Sequence, residues 1–206
     1  KQIDEREVET ITVKFAGDSG DGIQITGDQF GNTTAIAGND FATFPDFPSE
    51  IRAPLGTTYG VSSYQIQFAS KDIYTPGDRP DVLVCFNPAA LKVNLQTINE
   101  GGIIVVNEDE FDEKNINKAG FDSNPLDPGN KLLSGFTVHK IPITKLTLES
   151  LKDMELGHQD KLRCKNFLAL GIVSWLFSRP LEPIENFLKS KFGKKPAILE
   201  ANTKVL

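Results

Sequence analysis

A doubly wound α/β fold, with a mostly parallel sheet and helices on both faces, is what this chain of 206 residues predicts. Three observations carry the prediction. Residues 11–16 (ITVKFA) alternate, favour β-branched types and run into a glycine turn at 17–22 (GDSGDG) that opens a helix. Residues 81–86 (DVLVCF) form a short continuous apolar run, as expected of a central parallel strand covered on both faces. Strand-like and helix-like segments then alternate along the chain.

The elements follow in order. After the first strand, Ile23, Phe30 and Ile36 with several alanines and threonines mark an amphipathic helix over 22–37. Residues 40–58 are crowded with Phe and Pro, which excludes one helix and leaves a strand start followed by an ordered loop. Residues 61–69 (VSSYQIQFA) keep a period of two and predict a half-buried strand. Asn87-Pro88 opens a helix over 88–98, with proline tolerated in the first turn. Gly101-Gly102 ends it before another buried strand at 103–106 (IIVV). Residues 107–135 are polar and rich in Gly and Pro, so weak structure is expected there. A strand over 136–143, a strong helix over 161–177 and a last helix over 182–192 complete the series. The helix is apolar nearly all round from Phe167, which marks it as core or as an interface. In such sheets ligands gather at the carboxyl ends of the strands. The glycine turn, the Asn87-Pro88 turn and the loop after Val106 are therefore expected at one edge.

Composition narrows the function. A net charge of −6 argues against nucleic acid, whose partners carry a basic face. No apolar run approaches a membrane span and no signal peptide is visible at Lys1, and two isolated cysteines suggest a reducing cytoplasm. Cys85 and Cys164 are isolated and read as buried thiols. Two cysteines cannot hold an iron–sulfur cluster, and His139 and His158 lack ligand spacing with either of them. No metal site and no catalytic set are expected on this chain; both histidines read as surface or structural residues.

The glycine turn is the strongest binding signal. A strand–turn–helix junction leaves backbone N–H groups aimed at one point, where the helix dipole favours a phosphate or diphosphate. The glycines at 17, 20 and 22 put Ser19 where a dinucleotide fingerprint needs glycine, and no lysine follows as in a Walker loop. An NAD-dependent dehydrogenase is thereby disfavoured, although Asp40 lies roughly where a ribose-binding acid would sit. Asp18 and Asp21 read as turn formers, with Asp21 as the helix cap. A tight connection with no ligand is an equal reading of the loop alone. The stiff loop at 44–60 offers Arg52, either as the ion-pair partner of Glu50 or as an anchor for phosphate or carboxylate.

Five segments then carry a family resemblance: 13–27 (VKFAGDSGDGIQITG), 40–60 (DFATFPDFPSEIRAPLGTTYG), 81–91 (DVLVCFNPAAL), 141–146 (IPITKL) and 163–171 (RCKNFLALG). They resemble the gamma domain of the 2-oxoacid:ferredoxin (acceptor) oxidoreductases, in the group where that domain is fused ahead of an alpha domain and 2-oxoglutarate is the expected substrate. The resemblance implies a Rossmann-like fold and oxidative decarboxylation of a 2-oxoacid to an acyl-CoA. It implies coenzyme A as the co-substrate met by this domain. Thiamine diphosphate, magnesium and iron–sulfur clusters are expected on the alpha and beta parts, with ferredoxin or a similar acceptor reached through an oligomeric complex. Carried over, Gly17, Asp18, Ser19, Gly20, Asp21 and Gly22 match the family's glycine-rich loop. Arg52, Gly56 and Ser62 match its loop and strand near the coenzyme, and Asn87 matches the polar residue closing the third sheet strand. Residues 1–206 are expected to form one gamma domain from a longer polypeptide, inactive alone. The rival expectation is a Rossmann-like domain that organises the complex and binds no ligand itself.

Overall fold

The computed structural model describes residues 7–18, 20–47 and 60–206. Six strands form one sheet: β1 (Thr10–Asp18), β2 (Asp40–Asp46), β3 (Val61–Ala69), β4 (Val82–Cys85), β5 (Ile103–Asn107) and β6 (Thr137–Ile141), in the order β2-β3-β1-β4-β5-β6. Strands β1, β4, β5 and β6 are mutually parallel neighbours, so the expected α/β class with a mostly parallel sheet is present. The sheet is nonetheless mixed. β3 runs antiparallel to both β1 and β2, which a uniformly parallel reading does not contain. A period of two shows that a segment is a strand but not which way it runs.

Eight helices accompany the strands among the described residues: α1 (Ile23–Ile36), α2 (Pro88–Asn94), α3 (Glu113–Lys118), α4 (Ile143–Ser150), α5 (His158–Leu162), α6 (Lys165–Leu176), α7 (Glu182–Phe192) and α8 (Pro196–Val205). A single 3-10 turn, Glu108–Glu110, follows β5. Alternate residues of β4 divide between two apolar clusters, as the strand period requires. Val82 and Val84 pack with residues of α1, α6, α7 and α8; Leu83 and Cys85 pack with residues of α2 and α3. Phe30 of α1 anchors the larger cluster. Its ring meets Phe15, Phe68 and Phe177 at centroid distances of 5.8, 5.6 and 5.9 Å, the tilted and edge-on packing that aromatic quadrupoles favour.

Several elements differ from the sequence reading. The helix expected over 88–98 stops at Asn94, whose Nδ2 turns back to donate to the Ala90 carbonyl. The helix expected over 161–177 is two helices, α5 and α6, with a tight i→i−3 bond from Cys164 N–H to Lys161 carbonyl at the junction. Its C-terminal turn is not enclosed: Trp175 is 67% exposed. The segment 107–135 is ordered by asparagine and aspartate side chains. Asp112 caps α3 through Asn115 N–H, and Asn124 and Asn130 bond backbone N–H groups two residues on. Helix α4 was not expected, whereas the helical character of the tail at 200–206 belongs to α8. No helix among the described residues is long and apolar enough to cross a membrane.

Candidate functional site

The three expected segments do meet at the carboxyl edge of the parallel strands. Asn87 Nδ2 donates to Asp18 Oδ1 at 2.8 Å, joining the Asn87-Pro88 turn to the glycine loop. Asn87 Oδ1 meanwhile accepts from Ala90 N–H and caps α2. The loop after β5 arrives through Glu110, which lies with Asp18, Asp21, Asn87 and Lys165 around a cavity of about 80 Å³. The antiparallel β3 brings its first residues to the same edge, because Asp18 pairs with Val61 and Gly17 with Ser62.

The glycines of the loop have separate tasks. Gly17 is packed in: an added Cβ would stand 2.9 Å from Asp21 Oδ2 and 2.9 Å from Ile23 Cδ1. It allows close approach and offers no surface to a ligand. Gly22 sits at φ 73°, in the left-handed region, and precedes α1. Gly20 is exposed, with no heavy atom within 4 Å of an added Cβ. Ser19, Arg52 and Gly56 lie outside the described residues.

Asp21 is not the helix cap that the sequence predicts. The cap position is Gly22, which has no side chain to cap α1. Asp21 instead accepts from Asp18 N–H through Oδ2 at 3.0 Å and pairs with Lys165 through Oδ1 at 2.9 Å. Its expected role as a turn former is thus present, with a cation added. Lys165 Nζ also lies 3.8 Å from Glu110 Oε1. Burial pulls the Lys165 ammonium down, but the carboxylates of Asp21, Glu110 and Asp18 outweigh it and hold its pKa above the ordinary lysine value. Burial, and then the neighbouring Asp21 charge, raise Asp18 above the ordinary carboxylate value, against the Asn87 hydrogen bond.

On the other side of the loop lies a larger cleft of about 500 Å³, lined by Gly20, Gly22, Arg163, Asn166, Lys195 and Asn202 among others. Asn166 is buried against Gly22, and its Oδ1 has no hydrogen-bond partner among the described residues. Ser62 is buried and already engaged: its Oγ accepts from Gln24 Nε2 at 3.0 Å. Ser62 and Gln24 therefore tie β3 to α1 rather than face the cleft.

Other expectations resolve plainly. Asp40 stands at the far end of the sheet, since it pairs with Ala69, which in turn pairs with Thr10 at the start of β1. Its carboxylate accepts from Ile73 N–H, so it cannot serve a ligand at the glycine loop. Cys85 and Cys164 are free and buried. Burial raises both thiols, Cys164 to about 11. His139 and His158 are exposed. Sequence reasoning missed Lys165, Glu110 and Asn166. The one available signal was the polar pair Lys165-Asn166 at the head of an otherwise apolar helix.

The Pyruvate ferredoxin/flavodoxin oxidoreductase family model matches residues 12–206. The chain belongs to that family. It is 50% identical over 203 residues to the 2-oxoglutarate oxidoreductase subunit KorA of Mycobacterium tuberculosis, covering 98% of this chain and 31% of KorA. This chain thus spans about a third of that relative's length. The 2-oxoglutarate:ferredoxin oxidoreductase of Magnetococcus marinus, solved with 2-oxoglutarate, coenzyme A and succinyl-CoA bound, is 29% identical with a TM-score of 0.68. That likeness covers 97% of this chain and 31% of the solved one. The pyruvate oxidoreductase subunit PORC of Thermotoga maritima shares the fold at 19% identity and a TM-score of 0.61, covering 96% of this chain and 93% of PORC.

Proposed function

We propose that this chain is the gamma-type domain of a 2-oxoglutarate:acceptor oxidoreductase, where it helps bind coenzyme A and holds the assembly together. One observation carries the binding role. The 14-residue helix α1 starts at a left-handed glycine without a side-chain cap, beside an exposed Gly20 and a cleft flanked by Arg163 and Lys195. The first-turn N–H groups, the positive end of the helix dipole and two flanking cations suit a diphosphate. The KorA likeness supports 2-oxoglutarate as substrate, and the coenzyme A bound in the Magnetococcus marinus enzyme supports the ligand. The fold reads as a variant of the doubly wound Rossmann-like class in which β3 is reversed.

Among the described residues no side-chain set fits an iron–sulfur cluster or a metal ion. Both cysteines are buried among apolar side chains, and no three His, Cys, Asp or Glu side chains among the described residues are placed to hold a metal. As the family resemblance implies, thiamine diphosphate, magnesium and the clusters belong to the alpha and beta parts of such an enzyme, and electrons leave to ferredoxin or a similar acceptor from there. The assembly role draws on Trp175, Leu176 and Leu181, exposed around a groove of about 1040 Å³.

The test is calorimetric titration of coenzyme A into the complete oxidoreductase, with Gly20→Leu and Arg52→Ala beside wild type. Gly20 has open space around it, so a leucine there fills the approach to the loop and leaves the core alone. At least tenfold weaker binding by Gly20→Leu is expected. Unchanged affinity in both variants would move the coenzyme off this domain and leave it the organising role.

A further inference from the structure

An acidic loop is a poor receiver for an anion. Asp18 and Asp21 flank the glycine turn, and Glu110 lies beside them. We propose that Lys165, at the head of α6, is the positioning residue of the glycine loop: it serves as the half-buried counter-ion that draws Asp21 inward and cancels its charge. The inference rests on the reading that this loop meets an anionic coenzyme.

The geometry is specific. The Lys165 side chain is 16% exposed and that of Asp21 15%. Each Asp21 oxygen has its own partner: Oδ2 accepts from the loop's own Asp18 N–H, and Oδ1 binds Lys165 Nζ. The carboxylate is thereby turned back toward the sheet edge and α6. Lys165 is fixed in turn by Glu110, whose Oε1 also accepts from Thr144 Oγ1, itself held by Asn107 Nδ2 at the end of β5. One ammonium thus links the glycine loop, the turn after β5 and the start of α4. The next residue, Asn166, packs on Gly22, so the first turn of α6 fixes both the charge and the backbone of the loop. A loop set in place before its ligand arrives loses less freedom on binding. Without Lys165, Asp21 would keep only its bond from Asp18 N–H and lose its counter-ion beside the Asp18 carboxylate, and the repelled carboxylate would turn to where the ligand's charge must sit.

The experiment is steady-state kinetics of the complete oxidoreductase, following acyl-CoA formation from 2-oxoglutarate. Lys165→Met should raise the KM for coenzyme A at least tenfold, with kcat and the KM for 2-oxoglutarate within about twofold of wild type. Lys165→Arg should restore most of the loss. So should the double variant Lys165→Met/Asp21→Asn, because it removes the uncompensated carboxylate together with its counter-ion. A double variant as impaired as Lys165→Met overturns the proposal, since the loss then comes from packing. If Lys165→Met fails to assemble, recovery of assembly and coenzyme KM in the double variant supports the counter-ion role, and no recovery overturns it. Gly20→Leu separates the two readings. A coenzyme KM raised by Gly20→Leu but not by Lys165→Met overturns only the role of Lys165. No change in either variant overturns the loop reading and this inference with it.

Discussion

Gly20 and Gly22 lie two residues apart in one loop, yet their alanine variants should behave in opposite ways. At Gly22 the backbone has φ 73°, and an added Cβ would come within 2.6 Å of Asn166 Nδ2. An L-residue in the left-handed region costs about 1–2 kcal/mol. Asn166 is buried at the start of α6, so it yields only by disturbing its neighbours, and overpacking of that kind costs about 1–3 kcal/mol. Together these predict a loss of about 2–5 kcal/mol for Gly22→Ala. For a domain of this size each kcal/mol moves Tm by about 2–4 °C, so a fall of about 4–20 °C is expected. At Gly20 the backbone is outside the left-handed region and no heavy atom stands within 4 Å of the added Cβ. Reduced freedom of the unfolded chain then makes Gly20→Ala neutral or stabilising by about 0.4–1 kcal/mol. Thermal unfolding followed by far-ultraviolet circular dichroism compares the two on one protein. Equal losses in both variants, or a Gly22→Ala midpoint within about 2 °C of wild type, would refute the reasoning.

Three further outcomes follow from the same structure. Phe30→Ala removes a fully buried ring touching three other aromatic rings, and should cost about 3–5 kcal/mol in denaturant unfolding. The Asp18 carboxyl has a folded-state pKa raised above 3.8, so its ionisation opposes folding; this cost is absent below 3.8, grows as pH rises through the folded value and is full above it. Asp18→Asn, which keeps an acceptor for Asn87, should be more stable than wild type at pH 7 and lose that advantage toward pH 3.8; an advantage that does not vary with pH would rule out titration as its source. Cys85 and Cys164, buried and with raised pKa values, should resist a thiol-specific disulfide reagent at pH 8 and react fully in denaturant; rapid labelling of the folded chain would contradict their burial.

Much of this was legible in the residues. The DVLVCF run is a strand because only a segment covered on both faces tolerates continuous apolar character, and β4 is covered by the two clusters that its alternating side chains enter. The glycine turn after β1 was readable because only glycine is at ease at the φ of residue 22. The meeting of that turn with Asn87 and the loop after Val106 followed from the parallel order of β1, β4 and β5, which puts their carboxyl ends side by side. Local pattern and chain order settle such features.

The direction of β3, the tasks of individual glycines and the fate of the loop aspartates were decided only in three dimensions. Gly17 and Gly20 look alike in the sequence, yet one is enclosed by Ile23, Asp21 and Phe86 and the other faces open space. Asp21 reads as a cap from its place before a helix, but it binds a lysine that lies far along the chain. No periodicity signals a pair brought together by the packing of α6 beside α1. The sequence by itself determined the class of fold, the sheet edge where the three loops meet and the family. Which side chains line that edge, and how their charges cancel, depended on long-range packing, because electrostatic partners are set by distance in space and burial rather than by neighbours in the chain.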